Sequence, residues 1–350
     1  MPRITLKDIA REAGVSVMTV SNVVNGNTGR VSPATAAAVE AIVEARGYVP
    51  SGPAQSLAAR RTRLVGLLMP ARADGSSLLG CPHDVSVAGA LESALRERDH
   101  HLMLRGVESA RDVLDSVQRW NLDGVVVMGF TDDELRALRL PDDVPTVVVD
   151  ASVGDGHGAA VRADDVDGGR LAGQHLLGLG HRRILFCGPV DTRSAVVAGR
   201  LEGLRSALAD HGLIWDDANL VAANTTYEDG LAAGERIARE HPDATAVFVT
   251  ADLLAAGVQR GLIGAGRRVP QDVSVLGFDD ADVARYVSPS LSTIAQDTAA
   301  KGRAAAAALL DLIDGSGAPG GVVHIGVALV ARESTGPAPL LRDGEPRHHG

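Results

Sequence analysis

Apolar residues fall at helical spacing in the first fifty positions and turn into short unbroken runs after residue 63. Leu6, Ile9, Ala10 and Ala13 share one helical face. Thr5 before them and Asp8 three residues on form a capping-box pattern, and Gly14 stops the helix. Val15 fills the corner, and Ser16 caps a second helix with an apolar stripe of Val20, Val23 and Val24. Val17, Met18, Thr19, Ser21, Asn22 and Asn25 are thereby left pointing outward. Ser32 followed by Pro33 starts a third helix, with Val39, Ile42 and Val43 facing inward, Gly47 at its end and Tyr48 closing a small core. Two helices meeting at a tight turn, backed by a third, form the pattern of an all-α helix-turn-helix headpiece. An outward face of small, uncharged hydrogen-bonding groups suits a DNA major groove, where base edges are met at close range.

A linker follows over residues 51–63, SGPAQSLAARRTR, with a helical middle in which Ala54 and Leu57 lie. Leu57 is its one large apolar group. So short a helix is marginal alone in water. It folds when packed against a second copy and DNA, or it serves as a plain linker with Leu57 on the body.

From Leu64 the chain alternates. LVGLLM, HLMLR, LDGVVVM, PTVVVD, RRILFCG, TAVFVT and DVSVLGFDD read as strands. Amphipathic stretches over 85–98, 110–120, 165–179, 195–211, 227–240, 253–264 and 298–313 read as helices. Strand and helix in alternation predict parallel, doubly wound α/β sheets. The units are too many for one small sheet. Two lobes are expected, dividing near residue 162 and crossing back near 291, with a ligand cleft between them. The expected domains are a headpiece over 1–50, a hinge over 51–63, a two-lobed body over 64–336 and a disordered tail over 337–350. The tail has no leucine heptad that would form a tetramerising coil.

Charge sharpens this division. The formal net charge of the 350-residue chain is −10, yet residues 1–63 hold eight basic against four acidic side chains. A basic head on an acidic body is what phosphate binding by one end needs. The first residues carry no apolar core of a signal peptide, and no apolar stretch is long enough to span a membrane. A cytoplasmic protein is expected, nucleoid-associated when bound to DNA. Cys81 and Cys187 lack ligand-like spacing and read as reduced thiols, so no metal is expected.

Together these segments resemble the lactose/galactose repressor family of bacterial transcription regulators. The head motif is TLKDIAREAGVSVMTVSNVVNG, followed by VSPATAAAVEAIVEARGYVP and the hinge PAQSLAARRTRLVGLLMP. The body matches through LGHRRILFCGP, AGRLEGLRSAL, VFVTADLLAAGV and VPQDVSVLGFDDADVARYVSPSLSTIAQD. The resemblance implies a dimer on a pseudo-palindromic operator in double-stranded DNA. It also implies a body like the periplasmic sugar-binding proteins. Val17, Met18 and Asn22 match base-reading positions, and of these only Asn22 can make a two-bond contact, most naturally to adenine. Thr5, Thr19, Ser21 and Asn25 would hold phosphates. Leu57, beside Ala54 in the hinge, matches a leucine that enters the minor groove as a wedge. Ser51 stands where asparagine is usual, and Gly52-Pro53 precedes the helix.

In the body, Asp150, Arg200 and Asp279 match effector-contacting positions, where carboxylates accept from neighbouring hydroxyls and a guanidinium fork donates to ring oxygens. Each Asp can equally cap the helix after its strand. Other positions depart from the family pattern. Ala251 replaces a frequent asparagine, Thr225 lies where a stacking aromatic is common, and Ser76–Asp84 lacks an Asn-Pro-Phe-Phe-like run. With only 3% aromatic residues, Phe278, Tyr227 and Trp215 are the remaining platforms for a sugar ring.

An enzyme is the first rival. The chain has no phosphate-binding loop, dinucleotide fingerprint, nucleophile elbow or H-E-x-x-H pattern, and no cofactor is expected. Its acidic doublets point apart in a strand and make poor acid–base pairs. A secreted solute-binding protein is the second rival and would have no DNA-reading head. The expected function is therefore a repressor released from its operator by a sugar-like effector. The alternative is a co-repressor-dependent repressor, or an activator, responding to a nucleoside or other metabolite.

Overall fold

The structure is a computed structural model that describes residues 4–49, 61–71, 77–138, 140–141, 143–151, 158–190, 194–317 and 319–339. It divides into two compact units, one ending at Arg63 and the other beginning at Leu64. The hinge residues Ala54 and Leu57 lie outside the described residues.

The first unit holds α1 (Leu6–Ala13), α2 (Val17–Val24) and α3 (Pro33–Ala45). Local chemistry sets every boundary. The Thr5 backbone N–H and hydroxyl both donate to Asp8, at 3.1 and 2.7 Å. Gly14 ends α1 at φ 66°, a left-handed conformation that costs glycine little. The Ser16 and Ser32 hydroxyls accept from the N–H groups of Thr19 and Thr35 at the starts of α2 and α3. Ile9, Ala10, Val20, Val23 and Val39 are buried together, with Val15, Ile42, Val43 and Tyr48 packed around them. Each fully buried aliphatic side chain contributes about 1.5–3 kcal/mol, so this small core leaves the headpiece modestly stable. The exposed Arg46–Glu12 ion pair at 2.8 Å adds little to it.

The second unit is built on two six-stranded sheets. Its elements are, in order, β1 (Leu64–Pro70), α4 (Pro82–Arg96), β2 (His101–Val107), α5 (Ala110–Trp120), β3 (Gly124–Met128), α6 (Asp132–Leu138), β4 (Thr146–Val149), β5 (Gly158–Ala163), α7 (Asp165–Gly178), β6 (Ile184–Gly188), α8 (Ala195–Asp210), β7 (Leu220–Ala222), α9 (Tyr227–Glu240), β8 (Ala246–Val249), α10 (Asp252–Gly264), β9 (Ser274–Asp279), α11 (Val283–Tyr286), β10 (Ser292–Gln296), α12 (Thr298–Asp314), β11 (Val322–Ile325) and β12 (Val327–Val330). The first lobe has strand order β2-β1-β3-β4-β5-β11 and the second β7-β6-β8-β9-β10-β12. Every pairing is parallel except β10 with β12.

Strand alternation sends side chains into a core on each face of each sheet. In β1, Val65, Leu67 and Met69 pack with Val87, Leu91 and Leu95 of α4, while Leu68 packs with Val113 and Val117 of α5. In the second lobe, Phe186 and Phe248 pack under α7 and α8, while Leu185 and Val247 pack under α9 and α10.

The chain passes between lobes three times: after β5, after β10, and at Gly326 between β11 and β12. The third crossing was not foreseen. Its two strands are four residues each and follow one another with only Gly326 between, so the apolar stretch they form carries no sign of a crossing. The helices α6 and α11, of seven and four residues, are too short to show a helical repeat and were missed. The Ala338 N–H donates to the Leu179 carbonyl at 2.8 Å, so body pairing runs past Pro337, where the tail was expected to begin.

Candidate functional site

A cavity of about 230 Å³ lies where the strands of both lobes end at their carboxyl sides. The first lobe contributes His83 and Asp84 at the start of α4, Met128 to Thr131 after β3, and Asp150 after β4. The second contributes Ser194 and Val197 at the start of α8, Arg200, Thr225, Thr250, Ala251, Asp279 and Gln296. Asp150, Arg200 and Asp279, far apart in sequence, thus face one space.

Backbone geometry at this rim is unusual. Asp150 and Asp279 adopt φ 60° and 118°, and Asp280 φ 55°. Non-glycine residues in the left-handed region carry strain, which folds tolerate mainly at binding sites.

Arg200 is set from below. Its Nε donates to Asp165 at 2.9 Å, its Nη1 donates to the Thr250 carbonyl, and its guanidinium carbon lies 3.5 Å from the centre of the Phe278 ring. Gly169 makes this approach possible, because a Cβ there would fall 2.0 Å from the Arg200 carbonyl oxygen. Burial pushes the Asp165 carboxyl up despite the attraction of Arg200. Two buried polar atoms beside this arginine, Asp165 Oδ2 and Thr250 Oγ1, have no hydrogen-bond partner among the described residues. Such atoms are rare in folded proteins.

On the opposite wall a chain of charged groups joins the lobes. Asp279 accepts from Gln296 Nε2 at 2.6 Å, and Gln296 Oε1 accepts from Lys301 Nζ at 2.6 Å. Lys301 also donates to both oxygens of Asp150, at 2.7 and 2.9 Å. His83 stands between Asp84 at 3.1 Å and Asp150 at 3.4 Å. Burial would raise the Asp150 carboxyl, but Lys301 and His83 outweigh it and hold it below the usual carboxylate range. Burial likewise works against a charged His83, yet Asp84 and Asp150 raise its pKa. Behind the rim, Asp252 accepts from Thr293 and from the Ala281 N–H, and burial beside Asp279 pushes its carboxyl well up. Burial and Asp84 push the Cys81 thiol up to about 11, so it is not a ready nucleophile.

None of the three expected platforms lines this cavity. Phe278 is fully buried beneath Arg200, on the face of β9 that packs with α7 and α8. Tyr227 begins α9, is 38% exposed and does not line the cavity. Trp215 packs instead beside Arg205, with its ring N–H on Asp217 at 3.1 Å. The aromatic residue that does line the cavity is Phe130, which the sequence reading passed over. His83, Gln296 and Lys301 were also missed. Each looks like an ordinary polar residue at a helix start or strand end, with no motif around it.

In the headpiece, Val17 and Met18 are 41% and 70% exposed, and Asn22 lies half-buried beside them. The polar residues of that face are already engaged. Thr19 and Ser16 share a hydroxyl bond at 2.9 Å. Asn25 Nδ2 donates to the Ser21 carbonyl at 2.8 Å and to its hydroxyl at 3.2 Å. Hydroxyls keep spare lone pairs and can still meet phosphates.

Residues 5–51 match the family "Bacterial regulatory proteins, lacI family", and residues 174–335 match "Periplasmic binding protein-like domain". The chain is 36% identical over 323 residues to the HTH-type transcriptional regulator CelR of Thermobifida fusca, covering 89% of this chain and 93% of that protein. A solved complex of the regulator CelR with cellobiose aligns at 33% identity and a TM-score of 0.71, covering 95% of this chain and 100% of that one. The lac repressor dimer bound to operator and the anti-inducer ONPF aligns at 28% identity and a TM-score of 0.81, covering 95% and 99%.

Proposed function

The chain belongs to the lacI family of bacterial regulatory proteins, and we propose that it is a dimeric repressor released from its operator by a neutral sugar bound in the cleft of its body. The observation that carries this reading is Asp150 and Asp279 facing one cavity from opposite lobes, with Arg200 on its floor. A polyol bridging the two carboxylates gains bonds to both lobes at once. It therefore binds one lobe arrangement better than others and shifts the population toward it. Relatives named for a complex with cellobiose and for an operator-bound dimer support the same assignment.

The space of about 230 Å³ suits a small ligand such as a single sugar ring. Phe130 offers the apolar face. The unpaired Thr250 Oγ1 on the cavity wall is a place where a bound hydroxyl or water completes the bonding. No helix among the described residues is long and apolar enough to cross a membrane. A regulator of chromosomal DNA works in the cytoplasm, on the nucleoid when bound. The reading assigns no chemical step to the cleft.

The deciding experiment pairs a thermal-shift screen of neutral sugars with operator binding. One sugar should raise the melting temperature and weaken operator binding at least about fivefold, the lower end of common allosteric couplings. A sugar that binds and tightens operator binding would replace release by co-repression.

A further inference from the structure

Lys301 lies in the first turn of α12, just beyond the crossover from β10. Its ammonium is fully buried. It meets Asp150 Oδ1, Asp150 Oδ2 and Gln296 Oε1 at 2.7, 2.9 and 2.6 Å, with His83 Nε2 further off at 3.3 Å. An ammonium has three donors and no acceptor, so these contacts use it completely. Burying such a group is costly unless it is paired and hydrogen-bonded. A methionine would fill the same space without that cost. What the ammonium contributes therefore resides in the atoms it binds.

Gln296 passes the effect on. Lys301 only donates, so the Gln296 oxygen must face it. Gln296 Nε2 then faces Asp279 Oδ1 at 2.6 Å, a carboxylate that only accepts. One cation thereby sets the direction of an amide and of two carboxylates, one on each lobe. The Asp279 carboxylate has no hydrogen-bond partner but Gln296 among the described residues, so its second oxygen is left for a ligand.

We propose that Lys301 is the positioning residue that sets the specificity of the cleft: by clamping Asp150 and orienting Gln296 it presents a hydrogen-bond-accepting carboxylate on each lobe, so the ligand must carry free hydroxyls at both ends and anionic sugars are rejected. This rests on the cleft being the effector site. The groups around Asp150 are consistent with it. Lys301 faces it from α12, His83 from α4 and Arg200 from α8, against the carboxylates Asp84, Asp165 and Asp279.

Removing the ammonium should reverse the behaviour of Asp150. In the wild type its carboxyl lies below the ordinary value, so its stabilising contribution is present above that value and is lost as pH falls through the folded one. In Lys301→Met, burial dominates and the folded state prefers the protonated acid. That variant should melt lower at about pH 8 and recover relative to wild type as pH falls toward about 5. The second variant, Lys301→Met with Asp150→Asn, removes the stranded charge and should lose this pH dependence. These melts need no ligand. A Lys301→Met profile parallel to wild type overturns the positioning role.

The ligand arm uses D-ribose, D-glucose, cellobiose and D-glucose 6-phosphate on the full chain. A neutral sugar should stabilise the wild type and bind Lys301→Met about tenfold or more weakly, the scale of a hydrogen bond to a charged group. Glucose 6-phosphate binding as well as glucose overturns the polyol assignment. Stabilisation by none of the four overturns it together with the effector reading, while the ligand-free profile decides the role of Lys301 separately.

Discussion

The guanidinium of Arg200 rests 3.5 Å from the centre of the Phe278 ring, with both groups out of contact with bulk solvent. The ring supports the arginine from beneath and is not itself a sugar platform. A desolvated cation over an aromatic face gains about 2 kcal/mol. Phe278→Leu should therefore lower stability by about 1–3 kcal/mol through lost packing and lost support. It should also weaken the sugar found in the thermal screen. Urea denaturation and calorimetric titration measure the two effects, and unchanged sugar affinity would show that Arg200 holds its place without the ring.

Arg200→Ala and Asp279→Ala should uncouple the two ends of the protein. Neither residue belongs to the headpiece unit. Operator affinity without sugar should stay within about threefold, while the sugar no longer weakens it; a change of that size is well under 1 kcal/mol. Electrophoretic mobility shifts with and without sugar test this. A retained response would place the effector elsewhere.

Of the three proposed base-reading residues, Val17, Met18 and Asn22, only Asn22 is able to make a two-bond base contact. Its replacement by alanine should cost about 1–3 kcal/mol of discrimination at one base of each half-site. Selection of operators from random DNA reads this directly. Val17 and Met18 can meet only methyl groups or shape, so Met18→Ala should weaken binding without relaxing a hydrogen-bonded position.

His181 is fully buried, with its ring nitrogens 3.0 Å from the hydroxyls of Thr245 and Ser274 and from the Gly336 carbonyl. Burial pushes its pKa below the ordinary value of 6.5. The unfolded chain then binds a proton that the folded chain refuses. Stability should consequently fall as pH drops below about 6.5. His181→Gln should flatten that part of the stability–pH curve in urea titrations, and an unaltered slope would assign the acid sensitivity to other groups.

Much of the fold was legible because its causes are local. Thr5 with Asp8, Gly14, Ser16 with Thr19, and Ser32 before Pro33 set helix ends within four residues of sequence. Unbroken runs such as those of β3 and β4 mark strands covered on both faces. Short elements, such as β7, β11 and α11, escaped for want of that signal.

The sequence by itself therefore determined the headpiece helices, the doubly wound sheets and three residues that line the cavity, Asp150, Arg200 and Asp279. It could not tell Phe278 from a ligand platform, since β9 is buried on both faces and alternation there carries no direction. Nor could it single out Lys301, which reads as a routine polar residue in an alanine-rich helix. Only the tertiary structure brings that ammonium to Asp150, 151 positions away, where its desolvation has to be offset by two carboxylate oxygens and an amide. Pattern along a chain records which face is buried. Charge pairing across a core depends on where two lobes meet, and that is set by the packing of the whole body.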